Sequence, residues 1–225
     1  MSKKGLTELV MILDRSGSMS GLEADTIGGF NSMIAKQKQE EGEALVSVVL
    51  FDDKMDVISD RVPVQKVEAM TEKQYFVRGS TALLDAMGRA INHIGNVHKY
   101  AREEDVPEKT IFVITTDGME NSSREYTYEK VRGMVERQQE RWGWEFIFLG
   151  ANMDAVKEAS KFGIQASRAA SYECDAAGTM LNFSTISNVV ACARRARGAE
   201  GMRKMFNGQD MLADIRRDHA KRGRK

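Results

Sequence analysis

Hydrophobic spacing divides the 225-residue chain into short apolar runs separated by amphipathic stretches. Leu6–Leu13, Lys109–Thr116 and Glu145–Leu149 are almost continuously apolar, as strands covered on both faces should be. Ala44–Phe51 is a further strand-length run rich in β-branched residues, and a weaker one lies near Ser167–Tyr172. Lys54–Val62 alternates instead and follows the turn-like "FDD", which predicts an antiparallel edge strand. Helical spacing lies between the runs. Ile27, Phe30, Met33 and Ile34 form one stripe, and Leu84, Met87, Ile91 and Ile94 form another. Ser20, with Glu23 three residues later, predicts a capping box that opens the first of these helices. Strand–helix alternation over this length predicts an α/β fold: a three-layer, doubly wound, mostly parallel six-stranded sheet with one antiparallel edge strand. The first strand and the strand ending at Thr116 are expected to be neighbours at its centre.

Composition narrows the class. A hydrophobic fraction of 42% and a charged fraction of 29% are those of a soluble globular protein. No apolar run reaches the length of a membrane span. The start, "MSKKGLTELV", moves straight into a strand-like run with no signal-peptide pattern. Cys174 and Cys192 are then expected as reduced thiols, and the location as cytoplasmic. The net charge of zero hides an asymmetry. From Arg194 onward there are eleven Lys or Arg against four Asp or Glu, a balance of +7. The rest of the chain has 22 against 29, a balance of −7. The expected organisation is a domain over residues 1–196 and a basic, helical extension over 197–225. Within the extension, Met211, Leu212 and Ile215 make a short apolar stripe that can dock on the acidic body or await a partner. Removal of residues 208–225 is expected to leave the domain folded.

Candidate chemistry gathers where strands end. In doubly wound sheets ligands bind beyond the carboxyl ends of the strands, where the strand order reverses. Asp14 opens "DRSGSMSG" directly behind the first apolar run, and Asp117 lies in "VITTDGMENSS" behind another. Gly118 there permits a sharp exit. The stretch "RGSTALLDAMG" places Thr81 just before the second helical stripe, with Gly79 free to adopt a strained conformation. Ser16 and Ser18 alone read equally well as turn residues. Asp85 reads as a first-turn residue favoured by the helix dipole, and Asp52 and Asp53 as turn residues that can border the site. Trp142 and Trp144 are expected to pack at the mouth of the following strand.

These pieces resemble the metal-ion-dependent adhesion site of von Willebrand factor A domains. That family's pattern is D-x-S-x-S, a later Thr in a G-x-T-x-L loop, and a D-G pair after a strand. Here the matches are Asp14-Arg15-Ser16-Gly17-Ser18, Thr81 within Gly79-Ser80-Thr81-Ala82-Leu83, and Asp117-Gly118, over roughly residues 6 to 195. The wording "DRSGSM" with "TDGMEN" is most similar to intracellular bacterial or phage members. The resemblance implies magnesium, with manganese or calcium as alternatives. It further implies that Ser16, Ser18 and Thr81 ligate through neutral hydroxyls while Asp14 and Asp117 act mostly through bound waters. A partner's Asp or Glu would complete the shell. Subunits of AAA+ ATPase complexes or of stress and anti-phage systems are the partner classes implied. Asp14→Ala and Thr81→Ala are expected to abolish partner binding yet cost little stability, both residues lying at solvent-facing strand or loop ends.

Other functions find less support in the sequence. There is no Walker sequence, no G-x-G-x-x-G and no nucleophile elbow. His93 and His98 are five apart and so on different faces of a helix, which argues against a zinc site or a histidine base. The expectation is therefore a non-enzymatic protein-interaction module. A hydrolase using metal-activated water is the alternative. "ARRARG" and "IRRDHAKRGRK" supply cations for a weak nucleic-acid contact, but beyond Phe206 no aromatic residue interleaves them for base stacking.

Overall fold

Alternation along the first strand decides the layering. The computed structural model describes residues 2–222, so the last part of the expected extension, 223–225, lies outside the described residues. In β1 (Lys3–Asp14), Leu9, Met11 and Leu13 face one core while Val10 and Ile12 face the other, none more than 1% exposed. Such a strand has no polar face to offer solvent, so helices must cover both sides. The chain continues through α1 (Glu23–Gln37), β2 (Ala44–Phe51), β3 (Met55–Pro63), α2 (Leu83–Tyr100) and β4 (Pro107–Thr116). Then follow α3 (Tyr128–Trp142), β5 (Glu145–Ala151), α4 (Ala155–Lys161), β6 (Ala169–Tyr172), α5 (Ala176–Arg195), α6 (Gly198–Gly208) and α7 (Ala213–Arg222).

The six strands lie in the order β3-β2-β1-β4-β5-β6. All neighbours are parallel except β2 and β3, so the expected antiparallel edge strand is present. β1 sits between β2 and β4, and the strand order reverses between β1 and β4. The Phe30, Met33 and Ile34 stripe of α1 packs with α5 on one face, and the Leu84, Met87, Ile91 and Ile94 stripe of α2 packs with α3 and α4 on the other. No helix among the described residues is long and apolar enough to cross a membrane.

Two local expectations fail for identifiable reasons. The capping box does not form: a 3-10 turn over Gly17–Met19 uses the Ser20 N–H, which donates to Gly17 O. That moves the helix start onward, so Leu22 occupies the cap and the Glu23 carboxylate instead accepts from Gly21 N at 2.7 Å. The two tryptophans also part company. Trp144 is buried and stacks on Phe112, with ring centroids 5.3 Å apart, whereas Trp142 is 64% exposed at the end of α3.

The C-terminal helices are docked. Met202 and Phe206 of α6, Leu212 and Ile215 are each no more than 2% exposed and belong to the same core as α1 and α5. Arg216 donates to the carbonyls of Ala166, Ser167 and Ala169, which ties α7 to the entry of β6.

Arg194, the last but one residue of α5, is 6% exposed and makes no ion pair with a carboxylate among the described residues. Its guanidinium donates instead to the carbonyls of Gln37 (2.5 Å), Glu40 (3.0 Å) and Gly42 (2.8 Å), closing the C-terminal end of α1 and the loop after it. Lost donors there leave several carbonyls unpaired. Arg194→Ala should therefore destabilise the chain by about 3 kcal/mol in urea unfolding. Arg194→Lys should recover only part, because one ammonium cannot span the fork.

Candidate metal centre

The site is assembled where β1 and β4 end side by side. Arg15 N continues the ladder to Phe51 O at 2.8 Å, after which the chain turns away. The Arg15 side chain, only 1% exposed, points away from the turn. Its Nε donates to Asp52 Oδ2 at 2.7 Å, and its guanidinium also pairs with Asp56. Arg78 Nε reaches the same Asp52 oxygen at 2.8 Å. Burial pushes the Asp52 carboxyl up, but hydrogen bonds from Arg78, Lys54 N and Arg15 outweigh it and hold the group below the usual range. Asp52 thus borders the site by anchoring the residue between Asp14 and Ser16.

Asp14 is 1% exposed at the floor. Its Oδ1 accepts from Ser16 N at 2.7 Å and its Oδ2 from Thr116 Oγ1 at 2.5 Å, while Tyr75 Oη donates to the Asp14 carbonyl at 2.6 Å. The Ser16 and Ser18 hydroxyls are 3.1 Å apart, and Ser18 Oγ donates to Asp117 Oδ1 at 2.6 Å. Thr81 arrives through two loops. Gly17 N donates to Gly79 O at 3.2 Å, and Gly79 has φ +66°, a conformation that favours glycine. Gly118 is required for a different reason: a Cβ there would stand 3.1 Å from Thr81 Oγ1 and 3.4 Å from Ser18 Oγ. Asp14, Ser16, Ser18, Thr81 and Asp117 therefore lie together at the ends of β1 and β4. The surroundings differ from expectation in one respect. Asp14 and Thr81 (3% exposed) are buried, and only the Ser18 end opens to solvent.

Several residues that hold this arrangement give no sign in the sequence. Glu120 accepts from Ser122 N, Ser123 N and Ser123 Oγ within its own loop, and from Leu84 N at the start of α2, at 2.7–2.9 Å. Asn121 Oδ1 accepts from Thr81 N at 3.0 Å, and the Thr81 carbonyl accepts from Asn121 N and Ser122 N. Asp85 does more than answer the helix dipole. Its carboxylate accepts from the backbone N–H groups of Arg124, Glu125 and Tyr126, each at 2.9 Å. Burial works against the ionised form, yet those three donors hold it below the usual range. The loop after β4 is thereby clamped to the first turn of α2, the helix that Thr81 directly precedes.

Charge in the cluster is one-sided. Burial pushes the Asp14 carboxyl up to about 6, against hydrogen bonds from Thr116 and Ser16. Burial also raises Asp117, opposed by Ser18 and by Cys174, whose Sγ lies 3.7 Å from Asp117 Oδ2. The nearest guanidinium in sequence, Arg15, is spent on Asp52 and Asp56. Among the described residues no three His, Cys, Asp or Glu side chains form a metal-binding group. The donors that do converge are hydroxyl and carboxylate oxygens, a set that fits a hard divalent cation better than a thiophilic one.

No protein-family model matches the sequence, and no curated protein matches it. Solved structures do. Proximal thread matrix protein 1 of the mussel byssus, in a structure described as having a zinc-occupied MIDAS motif, aligns with a TM-score of 0.57 at 14% identity. That alignment covers 84% of this chain and 47% of the other. A von Willebrand factor type A protein from Catenulispora acidiphila aligns at 0.51 and 17% identity, covering 89% and 43%. The pilus adhesin SpaC from Lactobacillus rhamnosus GG aligns at 0.58 and 9% identity, covering 85% and 30%. The chain thus spans less than half the length of each of these proteins. Identities this low speak for architecture alone. The chain has the α/β fold of von Willebrand factor type A domains.

Proposed function

We propose that the chain is a divalent-cation-dependent protein-interaction module that takes a carboxylate from a partner at the Asp14–Asp117 site. The observation that carries this reading is the convergence of Ser16, Ser18 and Thr81 with two buried carboxylates at the strand-order reversal. Ser16, Ser18 and Thr81 would hold the cation through neutral oxygens. Asp14 and Asp117 would supply the negative charge, through waters. Bound there, magnesium would offer an electrophilic coordination position to an incoming Asp or Glu. The residues of the chain do the rest: Asp14 orients Ser16 and Thr116, Ser18 orients Asp117, and Asp85 with Glu120 fixes the Thr81 loop. Manganese or calcium would suit the same oxygens. The zinc named in the mussel protein's site supports a divalent cation in general.

Binding rather than catalysis is the role proposed. His93 pairs with Asp60, His98 with Glu8 and His219 with Glu173, which leaves these three histidines engaged outside the cluster. The tail supports a docked helix more than a nucleic-acid arm, since Arg216, Arg217 and Arg222 are tied to carbonyls or carboxylates of the chain itself. Free Cys174 and Cys192 support a cytoplasmic setting. The "DRSGSM" and "TDGMEN" wording supports an intracellular bacterial or phage origin, with a subunit of an AAA+ ATPase, stress or defence complex as the partner.

Calorimetry tests the reading. Magnesium should bind the isolated chain modestly, and magnesium and an acidic partner should strengthen each other's binding by the same factor. Thr81→Ala should lower both affinities at least about tenfold. Partner captured with unchanged affinity in excess chelator would refute the site.

A further inference from the structure

Helix α5 buries two side-chain oxygens that find no partner among the described residues. Thr179 and Asn182 are each 4% exposed, and Thr179 Oγ1 and Asn182 Oδ1 make no hydrogen bond among the described residues. Both line a cavity between α1, α5 and the sheet, and Asp14 and Thr26 form part of the same wall. Thr26 is 3% exposed; its hydroxyl makes no hydrogen bond either, although the Tyr75 phenol lies beside it. Met11 and Phe183 add apolar wall. The cavity admits the centre of a water molecule over about 20 Å³. A water needs roughly 10–15 Å³ by that measure and typically makes about three hydrogen bonds. Size and polar lining therefore agree on one water.

We propose that this cavity is a single-water site, and that its water links Thr179 and Asn182 of α5 to the Asp14 carboxylate. The hydrogen-bond arithmetic closes. Asn182 Oδ1 can only accept, so the water donates one hydrogen there and the other to Asp14. The Thr179 hydroxyl donates to the water oxygen. Ser16 N and Thr116 Oγ1 occupy one lone pair on each Asp14 oxygen, which leaves another for the water. Asp14 is thereby held from three sides: its own loop, β4 and, through the water, α5. Thr179 and Asn182 become positioning residues for the metal centre, far from the D-x-S-x-S, Thr and D-G elements in sequence. This consequence rests on the metal reading, whereas the water site itself does not.

The test uses the full chain with labelled threonine methyls. In chelator, water-selective NOE experiments should show cross-peaks from a long-lived water to the Thr179 and Thr26 methyls. Asn182→Leu and Thr179→Val should both fold and should lose the remaining threonine cross-peaks. Their manganese affinity, read by electron paramagnetic resonance of free Mn2+, should fall about tenfold. Val189→Ala, on the same helix and 1% exposed, should lose stability but keep both the water signal and the manganese affinity. No long-lived water in the wild type, or cross-peaks surviving both substitutions, would overturn the site. Loss of water without loss of manganese affinity would overturn the positioning role. A wild type that holds the water but binds no manganese would refute the proposed metal centre and leave the water site standing.

Discussion

Asp14→Asn should abolish magnesium binding while leaving the chain, in chelator at neutral pH, more stable than the wild type. The amide keeps the local bonds: its oxygen can accept from Ser16 N, and its NH2 can donate to Thr116 Oγ1, which in turn can donate to Gly118 O, 3.0 Å away. What it removes is a buried negative charge with no cation set against it among the described residues. Burial raises this carboxyl from 3.8 to about 6, so above pH 6 the ionised form costs folding free energy on the order of 1–3 kcal/mol. The sign follows from linkage. An acid with a raised folded pKa weakens the fold as pH rises from the unfolded value towards the folded one. The gain from Asn should therefore be absent below about pH 4, where Asp14 is protonated in both states, grow between about pH 4 and 6, and be complete above about pH 6. Saturating magnesium should reverse the order at neutral pH, because only the wild type binds it. Urea unfolding at three pH values, with and without magnesium, checks all of this. A variant less stable than the wild type in chelator would show that Asp14 is retained for structure. The expectation of little cost was for Asp14→Ala with a solvent-facing side chain; Asp14 is buried, and alanine would leave Ser16 N and Thr116 Oγ1 without their acceptor.

Removing the C-terminal helices should do much more damage. Truncation after Arg197 deletes Met202, Phe206, Leu212 and Ile215, all buried in the core shared with α1 and α5. At roughly 1.5–3 kcal/mol each, the loss approaches the whole stability of an ordinary domain. The truncated chain should not unfold cooperatively. The shorter truncation, after Asn207, removes Leu212 and Ile215 together with the Arg216 bonds, and should lower the urea midpoint markedly. Leu212→Ala in the full chain offers a gentler check, with an expected cost of about 2–5 kcal/mol. A truncation that left the midpoint unchanged would return the tail to the role of a free arm.

Much of the architecture is legible in the pattern of residues. The inner parts of β1, β4 and β5 are buried on both faces and read as almost continuously apolar runs, and β3, at the sheet edge, alternates in sequence. The helical stripes at Phe30 and at Leu84 point inward as their spacing requires. Asp14 and Asp117 are legible because each follows an apolar strand-like run, whereas Ser16, Ser18 and Thr81 are legible only through their resemblance to the D-x-S-x-S, Thr and D-G pattern, since hydroxyl residues are common in turns in any case. The failures are equally physical. The Ser20–Glu23 spacing was right for a cap, but a 3-10 turn took the Ser20 N–H first. The +7 balance and the Met211, Leu212 and Ile215 stripe leave the tail open between an interaction arm and a segment docked on its own domain; charge counts cannot choose between them, and only the structure shows Leu212 and Ile215 meeting the core.

Local spacing determined which segments became strands and helices and which oxygens were available, because those depend on periodicity of 2 or 3.6 and on turn chemistry within a few residues. Pairing across long separations was decided only by the tertiary structure. Asp85 meets the N–H groups of 124–126, Glu120 meets Leu84 N, and Arg194 closes α1 more than 150 residues upstream. Such partners are backbone groups, which every residue carries, so no residue type at the far end marks them. The burial of Asp14 and the unpartnered oxygens of Thr179 and Asn182 around it likewise exist only once α1, α5 and the sheet have closed.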